Sequence, residues 1–177
     1  MTWLGIDLGS CTGWCILDID SGWAWYGSRD LRKDAAVDRV VQFGIWLDAM
    51  LLEERWAGDP PKPNAIVYEE SPGAGRGRSL WIVHRQEGVL MYLAKGIPYL
   101  GVINTELKKW ATGKGNATKE MMIEAAIQKL DAIGGWAFQI PNEHEADAIL
   151  AAFWAAETVA RKPSEGQGSA ERPRTRV

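Results

Sequence analysis

The stretch Gly5-Ile6-Asp7-Leu8-Gly9-Ser10-Cys11-Thr12-Gly13 constrains the fold more than any other part of the chain. Trp3, Leu4 and Ile6 lead into it, Asp7 stands where that apolar run ends, and a second apolar run begins at Trp14. Glycines and hydroxyl residues fill the short interval between the runs. The segment therefore reads as a buried strand, a tight turn and an antiparallel return strand. A lone acid in an apolar strand is costly unless it is paired or binds a cation. Taken by itself, Asp7 has a second explanation, as a residue that caps the turn through its own backbone.

Downstream, the hydrophobic period sets the organisation. Residues 2–8, 12–19 and 23–30 are predicted to form a three-stranded antiparallel meander. Val37, Val40, Val41, Gly44, Ile45, Leu47, Leu51 and Leu52 then recur at helical spacing, which predicts an amphipathic helix over 35–56. The proline-rich segment 59–64 ends it. Ala65-Ile66-Val67-Tyr68 is a short buried strand running into Glu69-Glu70, the second strand to end in acid. A Gly/Arg loop over 71–79 precedes a helix over 80–95 with Gly96 as its C-cap, then a strand over 97–103. Asn104 or Thr105 is expected to cap a short helix. Helices over 118–130 and 143–160 follow, the last rich in Ala. From Pro163 onward the chain is Ser, Gly, Glu, Arg and Pro, the composition of a disordered tail.

This order predicts one domain over 1–161 and a disordered basic tail over 162–177. The fold class is α/β: a five-stranded mixed sheet, an antiparallel meander plus two parallel strands, with helices on both faces. A right-handed crossover sets residues 65–69 beside the first strand and brings Asp7 near Glu69 or Glu70.

A chain of 177 residues is long enough for one full core. It lacks an apolar run of about 20 residues, the length needed to span a bilayer, and it lacks a basic leader. A cytoplasmic protein without a membrane partner is expected. Cys11 and Cys15 are too few and wrongly spaced for zinc, and read as buried thiols. The net charge of −3 does not exclude nucleic acid, because the cations cluster. Lys108, Lys109, Lys114 and Lys119 form one group, and Arg76, Arg78 and Arg85 another.

A third acidic site lies in Asn142-Glu143-His144-Glu145-Ala146-Asp147-Ala148. His144 and Asp147 are three apart, Glu143 and Asp147 four, so either pair can share a helix face. The alanines suggest close packing on the sheet, where a carboxylate needs a cation. The alternative is that Glu143 and Glu145 favour the helix N-terminus and His144 is solvated. Three acids from two strand ends and a helix make a hard oxygen site of the kind Mg²⁺ prefers. Two such ions can activate a water and stabilise the leaving oxygen of a phosphodiester. Lys108 and Lys119 would neutralise phosphate, or else lie on a solvated face.

Four motifs in this order resemble the RuvC family of Holliday-junction resolvases, in the form often carried by bacteriophages. They are Gly5 to Gly13, Val67-Tyr68-Glu69, the run Leu107-Lys108-Lys109 through Lys119-Glu120, and Glu145-Ala146-Asp147-Ala148. The resemblance spans roughly residues 2–160 and implies the ribonuclease H-like fold. It implies Asp7, Glu69 and Asp147 as metal ligands and catalytic residues. His144 stands at the fourth position, where the family usually has Asp, with Glu143 as a substitute and Glu70 as the alternate to Glu69. Lys108 and Lys119 match family lysines that face the phosphate. Lys114, Arg76 and Arg78 are expected to join them in DNA contact. The resemblance further implies two Mg²⁺ ions per site, replaceable by Mn²⁺, and a homodimer that nicks opposed strands of a four-way junction. Pro72 occupies the place of the family's base-stacking aromatic, and Trp81 is expected in the core. Recognition by branch shape, with little sequence preference, follows.

Two rivals remain at this point. Asp-Leu-Gly-Ser within a meander also resembles the phosphate loop of actin-like kinases and ATPases, although no G-x-x-x-x-G-K-[ST] is present. A non-catalytic junction-binding protein could keep the same fold.

Overall fold

A computed structural model describes residues 1–52, 60–70, 78–134 and 141–159. Arg76, Pro72, the side chain of Arg78 and the expected tail over 162–177 lie outside the described residues. The elements run β1 (Thr2–Asp7), β2 (Cys11–Asp18), β3 (Trp23–Asp30), α1 (Ala36–Leu51), β4 (Ala65–Glu70), α2 (Arg78–Leu93), β5 (Tyr99–Ile103), α3 (Asn104–Thr112), α4 (Lys119–Ala132) and α5 (Glu143–Thr158). The five strands form one sheet in the order β3-β2-β1-β4-β5. The pairs β1–β2 and β2–β3 are antiparallel, while β1–β4 and β4–β5 are parallel. This is the expected mixed sheet.

Strand alternation sorts the core into two layers. Trp3, Cys15, Leu17, Ala65, Val67 and Val102 pack on one face against α4 and α5. Leu4, Ile6, Ile16, Ile66 and Tyr68 pack on the other against Phe43 and Leu47 of α1 and Leu90 of α2. Asp7 and Glu69 follow the odd-numbered residues of their strands and so stand on the α5 face, at the carboxyl ends of neighbouring parallel strands. The register sets Ile6 beside Tyr68, one residue before each acid.

The α5 layer owes its tightness to absent side chains. A Cβ on Gly5 would run into the Ala148 carbonyl and the Ala152 amide, and one on Gly13 into the His144 carbonyl. Ala146, Ala148, Ala151, Ala152, Ala155 and Ala156 on the helix complete the close approach.

Local departures from expectation have local causes. Helix α1 ends at Leu51, short of the expected 56. α2 starts at Arg78, two residues early. β5 begins at Tyr99, since Gly96 and Pro98 carry the chain out of α2, Gly96 at φ +79°. The N-cap of α3 is Ile103, without a side-chain cap, so neither Asn104 nor Thr105 has that role. Cys15 is buried as expected, but Cys11, at the start of β2, is only half-buried. Trp81 is not in the core: it is 37% exposed, and the Arg85 guanidinium lies over its ring. No helix among the described residues is long and apolar enough to cross a membrane.

Candidate active site

The carboxyl ends of β1 and β4 open onto a cleft of about 540 Å³. Asp7 and Glu69 line its sheet side, His144, Asp147 and Glu143 come from the first turns of α5, and Lys108 and Lys119 come from α3 and α4. Thus Asp7, Glu69, His144, Asp147, Lys108, Lys119 and the alternate Glu143 share one cavity. Glu70 does not line it. Its side chain alternates to the other face of the sheet and lies over Gly101 of β5, where a Cβ would collide with it. Lys114 is exposed on the loop after α3, outside the cleft lining.

The acids differ in how they are held. The Asp7 Oδ2 meets the Nδ1 of His144 at 2.7 Å. The Asn104 side-chain amide donates to the Glu69 Oε1 at 2.7 Å. The Asp147 Oδ1 is buried and has no partner among the described residues. Glu143 is paired with Lys119 and lies 3.7 Å from the His144 Nε2. At its N-terminus α5 is tied to the sheet by Asn142 and Glu145. The Asn142 side chain accepts from the His144 and Glu145 amides, and the Glu145 carboxylate accepts from the Asn142 amide and from Ser28 of β3. Glu145 is therefore a buried structural acid that completes a capping box.

The electrostatics follow from this crowding. Desolvation raises the pKa of Asp147, reinforced by the charges of Asp7 and Glu69, to about 7. Desolvation also raises Asp7 against the opposing pull of His144, and raises Glu69 with help from Asp7. The hydrogen bond to Asp7 raises His144. Glu143 is lowered by its bond to Lys119, and Lys119 is raised by the same bond. The cleft thus holds three half-buried acids whose negative forms oppose one another, a recurrent property of functional sites.

A hard divalent cation fits this donor set. The Asp147 Oδ1 is a buried acceptor without a donor, and the clustered carboxylates offer oxygen ligands of the type Mg²⁺ or Mn²⁺ takes. As the side chains stand, no three His, Cys, Asp or Glu donors among the described residues converge on one point. Asp7 is turned to His144 and Glu69 to Asn104, so a cation would draw these carboxylates away from their present partners.

The fold recurs in solved structures. The "Thermus thermophilus RuvC structure" superposes with a TM-score of 0.67 at 22% identity, covering 89% of this chain and 96% of that one. "T. thermophilus RuvC in complex with Holliday junction substrate" gives 0.69 at 21% identity, covering 88% and 93%. This chain has the RuvC fold. No family model matches the sequence, and no curated protein matches it either. The RuvC fold is ribonuclease H-like, and the five-stranded sheet with helices on both faces accords with it.

Two residues that support the candidate site were not legible beforehand. Asn104 was a cap candidate, because Asn serves a helix end and a carboxylate partner with the same amide. Ser28 carries no signal at all: a serine on an edge strand is ordinary, and only the fold brings it to Glu145.

Proposed function

We propose that the protein is a Mg²⁺-dependent endonuclease that resolves four-way DNA junctions by paired nicks, and that Mn²⁺ substitutes. The observation that carries this reading is the gathering of Asp7, Glu69 and Asp147, with Lys108, in one open cleft at the carboxyl ends of β1 and β4. The RuvC fold supports it, since one of the solved neighbours is described in complex with a Holliday junction substrate. A non-catalytic binder would gain nothing from half-buried acids turned toward a phosphate.

Asp7, Glu69 and Asp147 would hold the cations, with His144, which already lies against Asp7, as the fourth donor. When bound, such ions supply an activated water and a Lewis acid for the leaving oxygen. The chain's own work is placement. Asn104 holds one oxygen of the Glu69 carboxylate until a cation competes for it, and the capping box fixes the first turn of α5 on which His144 and Asp147 ride. Lys108 offsets the charge of the scissile phosphate, and Lys119 exchanges Glu143 for phosphate as DNA enters. Arg76, Arg78 and Lys114 would contact the DNA backbone.

Paired nicks need two centres, and a two-fold dimer matches a four-way junction. Val37, Val41 and Ile45 form an apolar stripe at i, i+4, i+8 on α1, exposed by 63, 53 and 59%. We assign this stripe to a second copy of the chain. Sedimentation should find a dimer, and Ile45→Lys a monomer.

The deciding test is a synthetic four-way junction incubated with Mg²⁺ or Ca²⁺. The expected result is paired nicks with Mg²⁺ alone, and an Asp7→Asn variant that binds the junction without cutting it. Equal cutting by Asp7→Asn would sink the site assignment.

A further inference from the structure

On the face of the sheet away from the cleft, the helical layer holds a fully buried amide. Gln86 of α2 has none of its surface exposed and lies on the same helix face as Ile82 and Leu90. Its Nε2 donates to the Gly9 carbonyl at 3.0 Å. Thr12, equally buried, donates its Oγ1 to the same oxygen at 3.0 Å. A carbonyl oxygen has two lone pairs, and both are now used. The Gln86 Oε1, by contrast, is buried without a partner among the described residues. Turning the amide over offers no remedy, since Oε1 would then face the Gly9 carbonyl, acceptor against acceptor.

An apolar side chain in that slot would avoid the orphaned oxygen. The chain instead keeps an amide whose one bond secures a turn. That turn follows Asp7 directly, with Gly9 two residues beyond the acid. Helix α2 begins at Arg78, one short segment after the strand that carries Glu69. Gln86 therefore ties the helix that follows Glu69 to the turn that follows Asp7.

We infer that Gln86, together with Thr12, is a positioning residue that fixes the Gly9 peptide and, through it, the direction in which Asp7 presents its carboxylate beside Glu69. The inference deepens the nuclease reading and rests on it. Neither residue lines the cleft, so each acts through the turn alone.

Gln86→Met, which fills the slot without an amide, and Thr12→Val test it in the whole 177-residue chain. Three quantities are measured: Mn²⁺ affinity from the resonance of the free ion, kcat and KM for nicking a synthetic junction, and melting temperature. Gln86→Met should melt at or above the wild-type temperature, because a buried orphan is removed. Its Mn²⁺ affinity should fall roughly tenfold, the lower end of what supporting residues of a metal site supply, and kcat should fall with KM unchanged. Because the two side chains share one acceptor, the double variant should lose less than the product of the single losses. Wild-type Mn²⁺ affinity and kcat in Gln86→Met would overturn the inference. So would a loss matched by Leu90→Ala, which opens a cavity on the same helix without touching the turn. A wild-type protein that neither binds Mn²⁺ nor nicks would instead defeat the nuclease reading, and that result is visible before any variant is made.

Discussion

The two faces of the sheet solve opposite problems. The α1/α2 face is filled with large aliphatic and aromatic side chains, among them Phe43, Leu47, Leu90 and Tyr68. Bulk holds those helices away from the strands and excludes water. On the α5 face, glycines and alanines let a helix backbone come down onto the strands, and the carboxylates sit at the edge of that close approach, lining the cleft. One face is built for cohesion, the other for proximity, and only the second gathers acids. A sheet of this kind supports a site by leaving volume out on one side and making up the stability on the other.

That contrast breaks most completely at Gly5. Gly5→Val drives a branched Cβ into the Ala148 carbonyl and the Ala152 amide, backbone atoms that a side-chain rotation cannot move aside. The expected result is loss of both cooperative melting and nicking, seen in one calorimetric scan and one junction assay. Asp147→Asn sharpens the contrast instead. On the proposed nuclease reading, in which Asp147 holds a cation worth several kcal/mol of transition-state stabilisation, nicking should slow roughly 10³-fold. The same change relieves an uncompensated acid, so the metal-free protein should melt higher, by about 2–4 °C for each kcal/mol gained. Leu47→Ala, on the opposite face and fully buried, should do the reverse. It should cost about 2–5 kcal/mol of stability, read from denaturant unfolding, while the molecules still folded nick at the normal rate.

The smallest effect is a dependence on pH. The folded-state pKa of Asp147 lies near 7, above the ordinary carboxylate range. The folded protein thus holds that proton more tightly than the unfolded chain, and stability falls as pH rises between the two values. His144 works in the same direction, since its raised pKa gives stability that is lost as pH climbs through that value. The metal-free protein should therefore melt lower at about pH 8 than at about pH 5. Asp147→Asn should flatten most of that slope, as should saturating Mg²⁺, which takes the place of the proton.

The sheet and its acids were legible because they are written locally. Apolar runs ending in Asp7 and Glu69, and a right-handed crossover between them, suffice to set two carboxylates side by side. The partners of those acids were not legible. Asn104 to Glu69, Ser28 to Glu145 and Gln86 to Gly9 join residues 35, 117 and 77 positions apart, and no periodicity reports such pairs. Trp81 was assigned to the core because apolar residues on helices usually are. Here Arg85, one turn further on, covers the ring, so a cation stands in for the packing that periodicity implied. Between Glu69 and Glu70 the residues alone left the choice open and the resemblance pointed to Glu69; the contact of Glu70 with Gly101 places it on the other face.

The contact between Gly13 and the His144 carbonyl also restricts the kinds of adjustment open to the site. With no Cβ between strand and helix, α5 has no gap through which to shift toward β2, and the capping box anchors its first turn at the other side. The degrees of freedom left are rotations of four side chains about their own bonds. On the proposed metal reading, a cation with a small, strictly octahedral shell would be met by such rotations, whereas a larger ion asking for seven or eight oxygens would require the backbone to part. Discrimination between Mg²⁺ and Ca²⁺ would then reside in a missing methyl group on the strand opposite, not in any ligand.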